Sequence, residues 1–181
     1  MRALTANEAR IFIAKMIKFQ GNFFLIFLKK KITKNYFFKL QNNRVFFSSF
    51  SVFSKALLFS KKKIASVGSC IGRFNNSLKF YLMISALNFF SKMTRKYSIL
   101  IDKLGQRIFL YGNHLKKKNL LEMNRNLYSN DRVIVFGKNS SLPLGFGEIR
   151  KNSFEILIQQ EKNIIMINQA DIGQYIRINN I

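Results

Sequence analysis

Apolar residues fall in short runs of two different periods, broken by basic or amide-rich stretches. Ala9, Phe12, Ile13, Met16 and Ile17 recur at helical spacing behind Thr5-Ala6-Asn7-Glu8. That tetrapeptide is a capping box: the Thr5 hydroxyl accepts from the Glu8 amide while the Glu8 carboxylate reaches back. An amphipathic helix ending near Gly21 is predicted. Three aromatic-rich runs follow at residues 23–28, 36–40 and 45–47, separated by Lys29-Lys30-Lys31 and Gln41-Asn42-Asn43. Bulky residues in runs this short predict an antiparallel meander. Residues 51–60 read as a second helix with Val52, Phe53, Ala56, Leu57 and Leu58 inward. Residues 64–67 and 78–84 supply further strand on either side of Gly68-Ser69-Cys70-Ile71-Gly72, and 86–93 a short helix.

The pattern changes at Thr94-Arg95-Lys96, which divides the chain into domains 1–94 and 95–181. Beyond it, glycines punctuate short apolar segments at 97–101, 108–111, 133–136, 147–150, 154–158 and 164–167, each read as a strand. A helix is expected within 115–123, with Leu115, Leu120 and Leu121 inward. Many short strands and a few helical turns predict a small β-barrel with helical caps. The fold class is therefore α+β.

Charge narrows the function. The 181 residues carry 31 Lys and Arg against 8 Asp and Glu, for a formal charge of +23. The imbalance is uneven: residues 1–94 hold seventeen bases and the single acid Glu8. AT-rich codons inflate Lys, Asn, Ile and Phe, but they do not deplete Asp or Glu. A polyanionic partner is the better explanation, and RNA supplies one phosphate per nucleotide. No apolar run approaches the ~20 residues that span a bilayer, so a soluble protein is expected.

Catalytic constellations are scarce. Cys70 is the only cysteine and His114 the only histidine, which excludes intrachain disulfides and thiolate zinc clusters. His114, in a Gly-Asn-His turn, reads as a packing residue, since no acid or nucleophile stands at a useful spacing. Cys70 reads as a small core residue. The acids are scattered singly, Gly68–Gly72 lacks the ending of a phosphate loop, and Gly145-Phe146-Gly147 lacks the rest of a dinucleotide fingerprint. The expectation is a non-enzyme without metal or cofactor. The lysine triplets 29–31, 61–63 and 116–118 are candidate phosphate contacts as a set.

Asp131-Arg132-Val133-Ile134-Val135 followed by Leu144-Gly145-Phe146-Gly147 resembles the PUA domain, an RNA-binding pseudobarrel. Met1-Arg2-x-Leu4-Thr5-x-x-Glu8, Gly21-Asn22, Asn43-Arg44-Val45, Val67-Gly68-Ser69-Cys70-Ile71-Gly72-Arg73-Phe74 and Phe109-Leu110-Tyr111-Gly112-Asn113-His114 extend the likeness. With Pro143-Leu144-Gly145-Phe146-Gly147 and the segment from Gln169 to Arg177, the chain is similar from end to end to the Nip7-type large-subunit biogenesis factors. Two departures are Asn168 in place of a histidine and Gln174 in place of an acid, which predict fewer charge-assisted hydrogen bonds near the end of the chain.

The resemblance implies an N-terminal α/β domain with an antiparallel sheet that docks other assembly factors, and a C-terminal PUA pseudobarrel. It implies a non-catalytic, monomeric, RNA-binding role in precursor ribosomal RNA processing and 60S subunit assembly, in the nucleus and nucleolus. The AT-rich composition suggests the nucleolus of a relict nucleus. Single-stranded, uridine-rich precursor RNA and the pre-60S particle are the implied partners, with no membrane. The expected RNA contacts are a groove framed by Gly145 and Gly147, a stacking Phe146, and phosphate-holding Arg132, Lys138, Arg150, Lys151 and Arg177. Three other classes stay open: an intrinsic small basic ribosomal protein, a PUA-bearing modification enzyme, and a membrane-surface binder using the basic N-terminal half.

Overall fold

Thr5 caps helix α1 (Ala6–Gln20) as the capping box requires: the Glu8 amide donates to Thr5 Oγ1 at 3.3 Å and the Thr5 amide to Glu8 Oε2 at 2.8 Å. This is a computed structural model. It describes all residues except 33, 60–63, 91–96, 125, 139, 141 and 179–181, and at Asn88 the backbone alone. Arg2 forks over the same carboxylate at 2.8 and 2.7 Å. The Arg2 backbone meanwhile exchanges hydrogen bonds with Leu40 of strand β1 (Tyr36–Gln41) at 2.9 and 2.8 Å. One carboxylate thus ties the start of α1 to the sheet beside it.

The chain divides into two compact units, Met1–Phe89 and Phe90–Ile181. In the first, β1, β2 (Arg44–Ser49), β3 (Ser69–Phe74) and β4 (Phe80–Leu82) form an antiparallel sheet in sequence order. Asn42 and Asn43, both at positive φ, make the two-residue β1–β2 turn; asparagine tolerates that backbone, and its twist suits a hairpin. Phe12, Met16 and Phe19 project from α1 into the core. That core is largely a phenylalanine cluster. Phe12 meets Phe80 edge-on with centroids 5.2 Å apart, Phe38 lies 5.0 Å from Phe47, and Phe47 lies 5.1 Å from Phe89.

Several sequence expectations are corrected here. Residues 23–28 are not strand: they open helix α2 (Phe23–Ile32), which buries Phe24. Gly21, at φ 58°, lets the chain turn from α1 into α2, and Lys29, Lys30 and Lys31 fill the last turn, where the helix dipole favours cations. Residues 64–67 are irregular, and the glycine-flanked segment beside them is β3. A Cβ on Gly72 would collide with the Tyr81 carbonyl, so glycine sits mid-strand for closeness, not for a loop. Helix α3 (Phe50–Leu57) forms behind its Ser49 cap but buries none of its side chains. Val52, Leu57 and Leu58, expected inward, are exposed, and Phe53 is half-buried against Phe37. The expected helix at 86–93 is the single turn α4 (Leu87–Phe90) within the described residues.

The second unit is one barrel-like sheet of β5 (Ser98–Ile101), β6 (Leu115–Lys116), β7 (Leu120–Met123), β8 (Arg132–Gly137), β9 (Pro143–Ile149) and β10 (Ile164–Asp171). The spatial order is β6-β10-β9-β8-β5-β7. All neighbours are antiparallel except β5 and β8. Ile101, Phe109, Leu115, Val133, Ile149 and Met166 are wholly buried inside it. Residues 108–111 prove to be the end of helix α5 (Lys103–Leu110), whose first turn is capped by Asp102 accepting from Gly105 at 2.6 Å. Residues 115–123 are two short strands around a 3₁₀ turn rather than a helix. Residues 154–158 lie in helix α6 (Ser153–Ile158), which buries Ser153 and Ile156 three positions apart. That spacing suits a helical turn better than alternation.

The last helix, α7 (Gln174–Ile178), carries Arg177 back onto Asp171. The guanidinium donates to both carboxylate oxygens at 3.0 and 2.9 Å and to the Leu110 carbonyl that ends α5. Asp171 is almost fully buried. Asn168 adds a hydrogen bond to the same carboxylate at 3.0 Å and another to the Phe109 carbonyl at 2.9 Å. The end of the chain therefore keeps a charge-assisted contact between Arg177 and Asp171, to which Asn168 adds a neutral donor.

Two outcomes follow from these carboxylates. The Arg2 fork, helped by the Thr5 amide, holds Glu8 at a pKa of about 2. A carboxylate depressed on folding stabilises above its unfolded pKa of ~4.3 and loses that contribution as pH falls through the folded value. Glu8→Gln should melt below wild type at neutral pH, and the gap should close as pH falls from about 5 toward about 2, as circular dichroism melts would record. Arg177→Met should leave Asp171 buried without its cation and speed amide exchange in the second unit at neutral pH.

Candidate nucleic-acid interface

Strand β9 contains the glycines expected to frame an RNA groove. Gly145 pairs with Asp171 and Gly147 with Asn168 across the β9–β10 ladder, which shifts register between Asn168 and Ala170. A Cβ on Gly145 would run into the Ala170 carbonyl, and one on Gly147 into the Ile167 carbonyl. The glycines serve a close strand crossing, not an approaching ligand. Phe146 between them is 3% exposed, so no base stacks on it. The glycine-framed groove is corrected to a packed strand.

The cations expected around that groove scatter. Arg132 faces Glu148 across the β8–β9 pair, with Nε 3.6 Å from Oε2, and Glu148 also accepts from Gln169 at 3.0 Å. Arg177 is committed to Asp171 and Leu110. Lys138 is exposed just past the end of β8, while Arg150 and Lys151 are exposed just past the end of β9. Antiparallel strands put those two ends about 20 Å apart, at 3.2–3.4 Å per residue. The structure thus brings Arg150 and Lys151 together and leaves Lys138 at the far end.

Beside Arg150 and Lys151 stand two aromatic residues that sequence reasoning missed. The Ser129 hydroxyl donates to the Arg150 carbonyl at 2.9 Å, its amide donates to Asn152 Oδ1 at 2.9 Å, and the Ser153 amide donates to the Leu127 carbonyl at 2.9 Å. These bonds hold residues 127–130 against 149–153. Tyr128 projects from the first segment at 67% exposure and Phe154 from the start of α6 at 72%. The acids nearby have partners of their own: Asp131 accepts from the Tyr128 amide at 2.9 Å and Glu155 from Asn152 at 2.7 Å. Two cations and two exposed rings on a pinned backbone can hold phosphates and stack bases. Reading 154–158 as a strand hid Phe154; an apolar residue just past Asn152 at a helix N-terminus was the available signal.

The remaining candidates settle into structural roles. His114 is exposed, and its Nδ1 accepts from the Asn168 amide at 3.4 Å, which joins its turn to β10. Cys70 is half-buried on β3 with its thiol 3.6 Å from Met83 Sδ, and burial pushes its pKa up. Lys117 closes α6, donating to the carbonyls of Leu157 at 2.5 Å and Gln159 at 2.7 Å. Lys31 lies over the Tyr36 ring at 4.4 Å. Lys116 and Lys118 are exposed, whereas 61–63 and the expected boundary at 94–96 lie outside the described residues. Among the described residues, no three His, Cys, Asp or Glu side chains gather as metal ligands would.

Comparison with known proteins supplies the family. Residues 1–84 match the NIP7/UPF0113 pre-PUA domain and residues 97–180 the UPF0113 PUA domain. The chain is 34% identical over 177 residues to the 60S ribosome subunit biogenesis protein NIP7 homolog of Rattus norvegicus, covering 98% of this chain and 97% of that one. It is 33% identical over the same span to the homolog of Danio rerio, with the same coverage. A hypothetical protein of Pyrococcus horikoshii OT3 shares the fold at a TM-score of 0.57, with 11% identity and 96% of both chains covered. A PUA domain structure from Aeropyrum pernix K1 does so at 0.53, with 14% identity over 95% of this chain and 85% of that one. With a pre-PUA half, a PUA half and near-complete alignment to these relatives, the chain belongs to the NIP7 family.

Proposed function

We propose that this protein is a non-catalytic RNA-binding factor of 60S ribosome subunit biogenesis, acting on precursor ribosomal RNA. The observation that carries the reading is the joint exposure of Arg150, Lys151, Tyr128 and Phe154 at one end of a PUA barrel. Arg150 offers a planar fork to a phosphate, Lys151 adds a point charge, and the two rings accept unpaired bases. Lys138 would reach RNA only along a longer path across the barrel. Arg132 and Arg177 act through their carboxylates to hold β9 and α7 in place. Similarity to proteins named for 60S subunit biogenesis supports the pre-60S particle as the assembly in which the contact is made, and hence the nucleolus as its place. Residues 1–94 form the docking half for other assembly factors, and residues 95–181 the RNA-holding half, in a monomer.

Binding of labelled single-stranded oligouridine tests this directly. If about six phosphates are neutralised, at a single-strand slope of about 0.7 per phosphate, affinity should drop about 300-fold between roughly 50 and 200 mM salt. Arg150→Ala/Lys151→Ala should weaken binding and flatten that salt dependence while leaving the melting temperature near wild type. Phe154→Ala should weaken binding on the order of tenfold, with the salt slope unchanged, because stacking releases no counterions. An affinity indifferent to salt, or a double variant that unfolds, would remove the assignment.

A further inference from the structure

We infer that the exposed face of the first unit's sheet carries a second contact for single-stranded RNA, built on Arg44, Arg73 and Tyr81. It rests on the RNA-binding reading above and adds a site on the other unit of the chain. Arg44 of β2 stands directly opposite Arg73 of β3, and Arg73 directly opposite Tyr81 of β4. Directly opposed residues of antiparallel strands project to one face with Cβ atoms ~5 Å apart, and like charges so placed oppose the pairing. Both arginines are exposed, and Tyr81 is 48% exposed beside them.

The usual remedy for such a pair is a carboxylate between the two guanidinium groups. Residues 1–94 contain only Glu8, and it is nearly buried and held by Arg2 and Thr5. Among the described residues, no carboxylate pairs with Arg44 or Arg73. The sheet therefore holds two adjacent exposed cations with no carboxylate of the chain between them, a place that favours an incoming anion.

The surroundings say which anion. Arg73 and Tyr81 border a cleft of about 600 Å³ whose other walls include Asn75, Asn76 and Ser77 of the β3–β4 turn. That turn is fixed: the Lys79 amide donates to Asn75 Oδ1 at 2.8 Å, and the Phe74 amide donates to the Asn43 carbonyl at 2.7 Å, tying it to the β1–β2 turn. Two guanidinium forks suit consecutive phosphodiesters. An exposed phenol ring beside them suits a stacked base, and amide and hydroxyl groups suit base edges. An acidic peptide would satisfy the arginines but would leave the ring and the amide-lined cleft unused.

The test uses the full chain and a fluorescent oligouridine, with Arg150→Ala/Lys151→Ala measured alongside. Arg44→Gln/Arg73→Gln should weaken binding on the order of tenfold and lower the salt slope by about 1.4, the value for two single-strand phosphates. Its melting temperature should hold or rise, because the repulsion between the arginines is gone. Tyr81→Ala should weaken binding on the order of tenfold without changing the slope, and photocrosslinked RNA should map to the peptide containing Tyr81. Unchanged affinity in the Arg44/Arg73 and Tyr81 variants, with weakening in Arg150→Ala/Lys151→Ala, would overturn this inference alone. A wild-type chain that ignores RNA at low salt would overturn both readings. A lowered melting temperature in Arg44→Gln/Arg73→Gln, or an effect on polyglutamate binding but not on RNA, would also overturn it.

Discussion

Arginine–carboxylate pairing organises this protein because carboxylates are so scarce. Arg2 takes Glu8, Arg132 takes Glu148 and Arg177 takes Asp171. Each pair does local structural work: one fastens α1 to the sheet edge, one braces the β8–β9 ladder, and one locks α7 onto the end of α5. With 31 cations and 8 acids, however, most cations have no such partner to take. Some of those settle on rings or carbonyls, as Lys31 does over Tyr36 and Lys117 at the end of α6, and backbone geometry directs the others. Strand ends and turns carry them outward, and the two proposed RNA contacts lie at such ends.

The two units meet this constraint differently. The first has one acid and fills its interior with phenylalanine rings, so its surface charges are almost all basic, set among exposed apolar residues such as Ile26, Phe50 and Leu58. The second spends its acids on caps and braces, as Asp102 does for α5 and Asp171 for α7.

The sequence made the first helix legible because Thr5 and Glu8 are a local signal with one geometry. The β1–β2 hairpin was legible for the same reason, its strands being aromatic and its turn Asn-Asn. Reading failed where the deciding contact was distant. Residues 23–28 and 154–158 are apolar runs too short to distinguish helix from strand, and only packing partners decide them. Gly72 and Gly145 fell outside the expected strands and Gly147 at the start of one, yet each sits mid-strand under a neighbouring carbonyl or ring that no local pattern announces. The candidate site divides along the same line. Arg150 and Lys151 could be named from charge, whereas Tyr128 joins them only through hydrogen bonds spanning more than twenty residues.

The bridge between Arg2 and Leu40 has a consequence for how this molecule behaves in a crowd. A four-stranded open sheet leaves two rims of unpaired peptide groups, and rims next to aromatic strands invite other chains to add on. Here Arg2 occupies part of one rim, and the other rim, β4, is only three residues long. Both rims of this phenylalanine-rich sheet therefore offer little free backbone for a further strand to pair with.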